Sequence, residues 1–188
     1  MRVSPSNFIR AMHPKSEISP TEEAITRILD LGWVGQTKIH GHRAQIHVPA
    51  DQSLPILIFT RQGRSHSIAM PEPMVKELRR IFSPLIGYNV LDAEWLKPSK
   101  KLFVFDILKK DGVLLRAKTF PERFALLPRS FISPSVSVLP LLTDLPTCLK
   151  ILRSKLVYIE GLVFKATRSR GFSDTSIVRC RKTSPFSA

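Results

Sequence analysis

The 188-residue chain has little cysteine, few acidic residues and no long apolar run. Its two cysteines, Cys148 and Cys180, lack the spacing of a metal site, so we expect free thiols in a reducing compartment. No stretch of about 18 apolar residues predicts a membrane-spanning helix, and the N-terminus lacks the apolar segment of a secretory signal. We therefore expect a cytoplasmic or nucleoid protein that is not secreted. The basic, acid-free first sixteen residues also fit a transit peptide.

The scarcity of acidic residues leaves a large excess of positive charge. Lysine and arginine number 29 against 15 acidic residues, which gives a formal net charge of +14 at pH 7. The basic residues cluster in residues 61–64, 76–80, 97–101 and 168–182. Clustered positive charge predicts a polyanionic partner, and nucleic acid is the default candidate. The alternative is a basic protein with no such partner.

The periodicity of apolar residues predicts one domain that mixes helices and strands. The polar, proline-containing residues 1–18 predict an N-terminal arm, and residues 19–188 predict a single domain with its own core. Helices are predicted at 20–31, with Ser19 as the cap and Pro20 at the first helical position, and at 71–82, 119–127 and 143–154. Strands are predicted at 54–61, 88–96, 101–108, 135–142, 156–165 and 176–182. This order favours the α+β class.

A lone lysine, Lys38, lies in a segment from Trp33 to Val48 that predicts a β-hairpin with its turn at Gly41. A lysine at the edge of such a turn can point into a pocket. A lysine amine is nucleophilic only when it is deprotonated, and burial or neighbouring cations favour that form. From this segment alone, an ordinary solvated lysine at the end of a strand is the alternative.

The segment Lys38-Ile39-His40-Gly41 resembles the Lys-x-Asp-Gly motif of the covalent nucleotidyltransferases, which include polynucleotide ligases and mRNA capping enzymes. The Lys-x-His-Gly variant is similar to that of RNA ligases of the RNA-editing type. Residues 42–47 look more like the ATP-dependent DNA ligases. The resemblance implies that Lys38 is the catalytic nucleophile, that His40 belongs to the site, and that the residues around the lysine contact the nucleotide, namely Thr37, Ile39 and Arg43.

Further segments follow in the order of this family. Arg61 ends a strand and would reach the nucleotide or nucleic-acid phosphates. Leu91-Asp92-Ala93-Glu94 resembles Leu-Asp-Gly-Glu, in which the glutamate holds the ribose, so Glu94 takes that role. In Phe105-Asp106 the resemblance implies that Phe105 stacks on the purine and that Asp106 ties down neighbouring groups. Residues 119–127 resemble a helix of phage-like and bacterial ATP-dependent ligases.

The last two segments lie near the C-terminus. Residues 160–165 read Glu-Gly-Leu-Val-Phe-Lys and resemble the fourth motif of the family, in which Glu160 would help to hold a divalent cation and Lys165 would offset phosphate charge. Arg179 and Arg181 stand where the family has Lys-x-Lys, and the resemblance places them near phosphate. Arginine binds phosphate bidentately but does not change its protonation state, so their roles depart from the family pattern.

Together these segments imply an adenylation domain of antiparallel sheets with flanking helices and a nucleotide cleft between the sheets. They also imply ATP as substrate, with AMP carried covalently on Lys38, and Mg²⁺ or Mn²⁺ held by Glu160 and Glu94. The product would be a sealed break between a 5′-phosphate and a 3′-hydroxyl in DNA or RNA. Gln36 stands where many ligases have a glutamate that reads the purine amine, which leaves the choice between ATP and GTP open.

Three functions remain open at this point: a polynucleotide ligase, a capping-type guanylyltransferase, and a basic nucleic-acid-binding module without activity. The six residues after Lys182 cannot form the oligonucleotide-binding barrel that follows in most DNA ligases and capping enzymes. We therefore expect either a minimal ligase that grips nucleic acid with its own basic surface, or a domain that needs a partner protein as the missing clamp. The sequence does not separate DNA from RNA as the substrate.

Overall fold

The computed structural model describes residues 8–82, 87–128, 133–172 and 174–182. Ten strands are found in these ranges: β1 (Ser16–Glu17), β2 (Trp33–Ile39), β3 (His42–Val48), β4 (Leu57–Phe59), β5 (Asn89–Leu96), β6 (Lys101–Lys110), β7 (Val113–Leu114), β8 (Val136–Val138), β9 (Ile159–Ala166) and β10 (Ile177–Arg181). Four helices accompany them: α1 (Glu22–Asp30), α2 (Glu72–Phe82), α3 (Phe120–Phe124) and α4 (Leu145–Leu152). The predicted α+β class is confirmed.

The strands form two sheets that are antiparallel except at two edges. The first sheet has the order β1-β10-β9-β2, in which β1 is parallel to β10. The second sheet has the order β4-β3-β5-β6-β7, and β8 adds to β6 in parallel. No helix in the described ranges is both long and apolar enough to cross a membrane.

The first helix begins later than predicted. Thr21, not Ser19, is its N-cap, and the Thr21 hydroxyl accepts a hydrogen bond from the amide of Ala24 at 3.3 Å. The predicted strands at 54–61 and 135–142 are both cut to three residues. Each contains a proline, Pro55 or Pro140, which has no amide hydrogen to donate to a neighbouring strand.

The predicted β-hairpin from Trp33 to Val48 is wrong in its pairing, although its two strands and the turn exist. β2 pairs with β9 in the first sheet, whereas β3 pairs with β4 and β5 in the second sheet. The link His40-Gly41 is therefore a crossover between the sheets. A Cβ at Gly41 would lie 2.8 Å from the carbonyl oxygen of Trp95, so glycine lets the chain pass close to β5.

Three apolar cores hold these layers together. One lies between the second sheet and α2, and includes Met74 and Leu78. Another lies between the first sheet and the helices α1 and α4, and buries both Cys148 and Cys180 as free thiols. The third joins the two sheets at one end, where Ile39 packs near Phe103, Leu139 and Ile159. The faces of the sheets that the helices leave uncovered therefore border a cleft.

Candidate active site

The cleft between the two sheets has a volume of about 430 Å³. Its walls come from β2 and β9 on one side, from β3, β5 and β6 on the other, and from residues 12–14 of the N-terminal segment. Eleven of the thirteen residues that the sequence predicts for the site line it: Thr37, Lys38, Ile39, His40, Arg43, Arg61, Glu94, Phe105, Asp106, Glu160 and Lys165.

Lys38 and Glu160 face each other across β2 and β9. Lys38 is paired with Gly161 and Ile39 with Ile159, so Glu160 is the extra residue of a β-bulge. A bulge re-aims a side chain, and the Lys38 Nζ donates a hydrogen bond to Glu160 Oε2. The Lys38 side chain is 20% exposed, so its amine lies at the cleft rather than in bulk solvent.

The bulge requires glycine beside it. Gly161 has a φ of 151°, and a Cβ there would lie 2.1 Å from the carbonyl oxygen of Cys180 on β10. Such a distance is far inside van der Waals contact, so any side chain at Gly161 would push β9 away from β10. The position of Glu160 therefore depends on the packing of three neighbouring strands.

Glu160 also lies near His40, because its Oε2 is 3.5 Å from His40 Nδ1. Burial would raise the pKa of the Glu160 carboxyl, but the hydrogen bond and the charge of Lys38, with smaller contributions from His40, hold it below its ordinary value. Glu160 is therefore ionised at neutral pH and is the acceptor nearest to the lysine amine.

Glu94 on β5 has the opposite electrostatic setting. Burial raises the pKa of its carboxyl from 4.5 to about 7, against the opposing charges of Arg43 and Lys38. On the same strand Leu91, Ala93 and Trp95 alternate with the acidic residues and lie in the apolar core. Of these two glutamates, Glu160 is therefore held in its ionised form, whereas burial favours the protonated form of Glu94.

Arg43 on β3 is held by Asp92 through two hydrogen bonds, Nε to Oδ1 at 2.9 Å and Nη2 to Oδ2 at 2.5 Å. Its guanidinium carbon lies 5.6 Å from the centre of the Phe105 ring. The Lys165 Nζ lies 4.9 Å from the same ring, and burial lowers the pKa of this lysine to about 8. Two cations therefore flank the aromatic ring that the sequence predicts to stack on a base.

Phe105 and Asp106 are adjacent on β6 but both line the cleft, because the register between β5 and β6 shifts here. Asp92 pairs with Asp106 and Ala93 with Val104, which leaves Phe105 as the extra residue of a second bulge. Asp106 accepts two hydrogen bonds from Arg123 of α3, at 3.0 and 2.9 Å, and both side chains are buried. Asp106 thus anchors the bulge to the helix.

Gln36 on β2 is 2% exposed and lines the cleft two residues before Lys38. Its amide nitrogen donates to the carbonyl oxygens of Phe105, at 3.2 Å, and Leu139, at 3.4 Å. Within the described residues no group donates to its Oε1, which is buried. A flipped amide would set this oxygen against two carbonyl oxygens, so the side chain presents an unsatisfied acceptor.

Arg179 and Arg181 are not brought into the lining of the cleft. Glu17 of β1 accepts from Arg179 Nε at 3.0 Å and from Arg181 Nε and Nη2, both at 2.8 Å. The hydrogen bond from Arg181, helped by that from Arg179, lowers the pKa of Glu17 to about 2, with slight burial opposing it. Both arginines lie on β10, between β1 and β9, where Arg181 is paired with Gly161, and the amide of Lys182 donates to the carbonyl oxygen of Glu160 at 3.0 Å.

The N-terminal segment is the part of the cleft wall that the sequence did not predict. Ile9 exchanges two hydrogen bonds with the Gln45 side chain on the second sheet, at 2.9 and 2.7 Å. Met12 is 5% exposed and lines the cleft, and Glu17 then pairs with the first sheet. Residues 8–17 thus span both sheets. The only hint in the sequence was the group of apolar residues from Phe8 to Met12, namely Phe8, Ile9, Ala11 and Met12.

The described part of the chain contains no group of three or more His, Cys, Asp or Glu side chains that could hold a metal ion. The acidic side chains of the cleft are instead engaged singly, Asp92 by Arg43, Asp106 by Arg123 and Glu160 by Lys38. A metal in this cleft would therefore depend on oxygen ligands from its substrate as well.

Comparison of the fold with solved structures gives consistent matches. The chain matches mycobacterial DNA ligase D complexed with ATP and MES at a TM-score of 0.54 and 19% identity, over 79% of this chain and 54% of that one. It matches the ligase domain of M. tuberculosis LigD at 0.56 and 20%, over 79% and 53%. A structure called Pmar-Lig_PreS3 matches at 0.57 and 14%, over 88% and 46%.

No protein-family model matches the sequence, and no curated protein matches it in sequence. The chain spans about half the length of the solved structures that it matches. The matches cover most of this chain, which therefore shares the fold of these ligase structures.

Proposed function

We propose that this chain acts as an ATP-dependent polynucleotide ligase, which seals 5′-phosphate/3′-hydroxyl breaks in DNA or RNA through a lysyl-AMP intermediate on Lys38. The observation that supports this best is the position of the Lys38 amine. It lies in the cleft, bonded to the ionised carboxylate of Glu160, with the guanidinium of Arg43 and the ammonium of Lys165 lining the same space.

The first step joins AMP to the lysine. The Lys38 Nζ attacks the α-phosphorus of ATP, a nitrogen–phosphorus bond forms, and the bond to the leaving pyrophosphate breaks. The ammonium must lose a proton before it attacks, and Glu160 Oε2 is in place to accept it. Arg43 and Lys165 would offset the negative charge of the phosphates, which is the main requirement of phosphoryl-type transfer.

Two further transfers complete the proposed reaction. The 5′-phosphate of the polynucleotide takes AMP from Lys38, so the nitrogen–phosphorus bond breaks and a pyrophosphate linkage forms. A 3′-hydroxyl then attacks the activated 5′-phosphorus, the phosphodiester bond forms and AMP leaves. The covalent intermediates divide one difficult reaction into several easier steps, and AMP is a better leaving group for the final step than the unactivated 5′-phosphate would offer.

The unsatisfied oxygen of Gln36 favours ATP over GTP. Adenine carries an amine at the position where guanine carries a carbonyl oxygen, and an amine can donate to Gln36 Oε1. Because the Gln36 nitrogen is already used by the carbonyl oxygens of Phe105 and Leu139, the side chain cannot turn to donate instead. Phe105 would stack on the purine, and Glu94 would hold the ribose hydroxyls.

Mg²⁺ is the cation that we propose for the site, with Glu160 as its first ligand and Glu94 as its second. Mg²⁺ typically uses one or two carboxylates together with phosphate oxygens and waters, so the lack of a three-carboxylate cluster in the described residues fits a site that ATP completes. The cation would supply charge neutralisation at the α-phosphate. Glu160 would then have to share its oxygens between the cation and Lys38.

Arg179 and Arg181 keep the phosphate-binding role that their position in the chain suggests, but they would first have to leave Glu17. The exposed fractions of their side chains, 31% and 48%, leave both accessible to an incoming phosphate. A phosphate with two negative charges would compete with the single charge of the Glu17 carboxylate.

The test is to incubate the protein with α-labelled ATP and Mg²⁺, and α-labelled GTP in parallel, and then to offer nicked DNA and nicked RNA duplexes. We expect label on the protein from ATP, loss of that label in Lys38→Ala, and a sealed strand. Labelling by GTP alone would indicate a capping-type guanylyltransferase. Binding of DNA or RNA that Lys38→Ala leaves unchanged, with no covalent label, would indicate a non-catalytic binding module.

A further inference from the structure

The turn that joins β5 to β6 carries three lysines: Lys97, Lys100 and Lys101. We propose that this turn binds the sugar–phosphate backbone of the polynucleotide, next to the lysine that carries AMP. The inference rests on the proposed function and adds to it the surface that receives the nucleic acid. Lys100 has a φ of 51°, so the three charges are presented by a tight turn.

Lys97 lies on one side of the crossover that follows Lys38. Its Nζ is 5.4 Å from the centre of the Trp95 ring, and Trp95 is paired with His42, the first residue of β3. The His66 ring lies 5.5 Å from the Trp95 ring, and both His66 and His42 line the cleft. The positive charge of Lys97 is close enough to contribute to a lowered pKa of His66, of which burial is the main cause.

Lys101 lies on the other side of the same crossover. Its Nζ is 5.5 Å from the centre of the Phe103 ring, which stacks on Tyr158 at 6.2 Å. The carbonyl oxygen of Tyr158 accepts from the amide of His40 at 2.8 Å. Lys97 and Lys101 are therefore each connected, through aromatic residues, to one end of the link from His40 to His42, which directly follows the strand that carries Lys38.

The charges of this turn are not used within the described part of the protein. No described carboxylate lies within ion-pair distance of any of the three lysines, whereas Lys76 on α2 pairs with Glu72 at 2.9 Å. The ammonium groups of Lys97 and Lys101 each lie over an aromatic ring, which orients them. Lysine ammonium groups that are held over aromatic rings suit the regularly spaced charges of a phosphodiester backbone. Their binding to phosphates would release counterions, which makes the affinity depend on salt.

The position of the turn favours a polynucleotide over other polyanions. A strand laid across Lys97 and Lys101 passes over the crossover, where a 5′-phosphate must arrive to take AMP from Lys38. An acidic protein segment would satisfy the same charges, but nothing would connect it to the cleft. The turn therefore serves as a guide for the substrate strand at the point of reaction.

The experiment measures the affinity of the full chain for nicked DNA duplex and for nicked RNA duplex from about 50 to about 200 mM salt, without ATP. The variant of the turn, called the rim variant, is Lys97→Gln/Lys101→Gln, in which glutamine removes each positive charge and keeps part of the length of each side chain. The matched control is Lys76→Gln/Lys150→Gln, which removes the same charge from exposed positions on α2 and α4.

We expect the slope of log K against log salt to become shallower by about 2 in the rim variant, roughly 1 for each lysine, and to stay as in the wild type in the control. Unequal effects on DNA and RNA would identify the preferred substrate of the turn. Equal slopes in the rim variant and the control, whether both unchanged or both shallower, would overturn the inference. Because binding is measured without ATP, this outcome is independent of whether Lys38 takes up AMP.

Discussion

Replacing Arg123 by methionine tests how the second bulge of the cleft is held in place. Arg123 is fully buried, and it donates to both oxygens of Asp106 and to the carbonyl oxygens of Lys118, at 2.9 Å, and Gly171, at 3.2 Å. In Arg123→Met the buried carboxylate of Asp106 loses its bidentate partner, and two carbonyl groups lose a donor. Removing one member of a buried ion pair costs about 3–5 kcal/mol.

The structure places the expected cost toward the lower end of that range. Lys165 Nζ lies 4.0 Å from Asp106 Oδ2 and can compensate part of the carboxylate charge. We therefore expect Arg123→Met to lower the free energy of unfolding by about 3 kcal/mol, which for a chain of this size corresponds to a melting temperature lower by roughly 6–12 °C. Urea titration followed by circular dichroism measures the first quantity, and a thermal melt the second.

The matched control is Lys76→Met, which breaks an ion pair whose side chains are 74% and 77% exposed. We expect a change of at most about 0.5 kcal/mol there. The double variant Asp106→Asn/Arg123→Met should be more stable than the sum of its single variants predicts, because the unpaired charge is gone. A loss below about 1 kcal/mol in Arg123→Met would refute the view that this pair anchors Phe105 and Asp106.

Three further predictions follow from the cleft. Because burial raises the pKa of Glu94 to about 7, the folded protein binds a proton at this carboxyl more tightly than the unfolded chain does. The free energy of unfolding of the wild type should therefore fall between about pH 4.5 and pH 7 and then level off. Glu94→Gln should remove this fall in urea titrations at pH 5 and pH 8, and an unchanged pH profile would contradict the burial of the Glu94 carboxyl. Gly161→Ala should lower the melting temperature of the protein far more than Gly112→Ala, because a Cβ at Gly161 would lie 2.1 Å from a carbonyl oxygen and one at Gly112 would meet nothing within 4 Å. Equal melting temperatures of the two variants would mean that the bulge is not constrained. Gln36→Leu should reduce covalent labelling at limiting ATP by roughly tenfold, because the adenine loses one hydrogen bond to the buried Gln36 Oε1. Undiminished labelling would show that Gln36 does not recognise the base.

Eleven of the residues that line the cleft could be singled out from the sequence because they lie in short segments that resemble motifs of the covalent nucleotidyltransferases. Three of them, Lys38, Glu94 and Glu160, are far apart in the sequence. Each stands beside a residue that favours a strand or a turn, and the segments follow the order of the family motifs. The alternation along β5 also separates the apolar Leu91 and Trp95 from the acidic Asp92 and Glu94. Local patterns of this kind are visible in a single sequence.

The pairing of strands could not be predicted in the same way. The segment from Trp33 to Val48 has the pattern of a hairpin, and only the long-range pairs of β2 with β9 and of β3 with β5 show that it crosses between sheets. The bulge at Glu160 arises from a register shift between β2 and β9, which are far apart in the sequence, and the bulge at Phe105 arises from a register shift between the consecutive strands β5 and β6. Neither shift leaves a local signal, because pairing is decided by the combined packing of the sheet.

The partner of Arg179 and Arg181 was equally hidden. Glu17 lies more than 160 residues away, in a segment whose composition predicts an irregular arm. A two-residue strand has too few residues to show a period, so β1 could not be recognised. Met12 also lines the cleft, but it lies in a short irregular segment whose sequence shows no periodic pattern.

The most direct test of the central proposal is to locate the bond that holds the nucleotide. After incubation with α-labelled ATP and Mg²⁺, the labelled protein is treated with acid or alkali, and its peptides are mapped by mass spectrometry, with Lys38→Arg as the matched control. A phosphoramidate releases its label in acid and keeps it in alkali, so we expect acid-labile AMP on the peptide that contains Lys38 and none in Lys38→Arg. AMP on another residue, an alkali-labile bond, or undiminished label in Lys38→Arg would contradict the proposal.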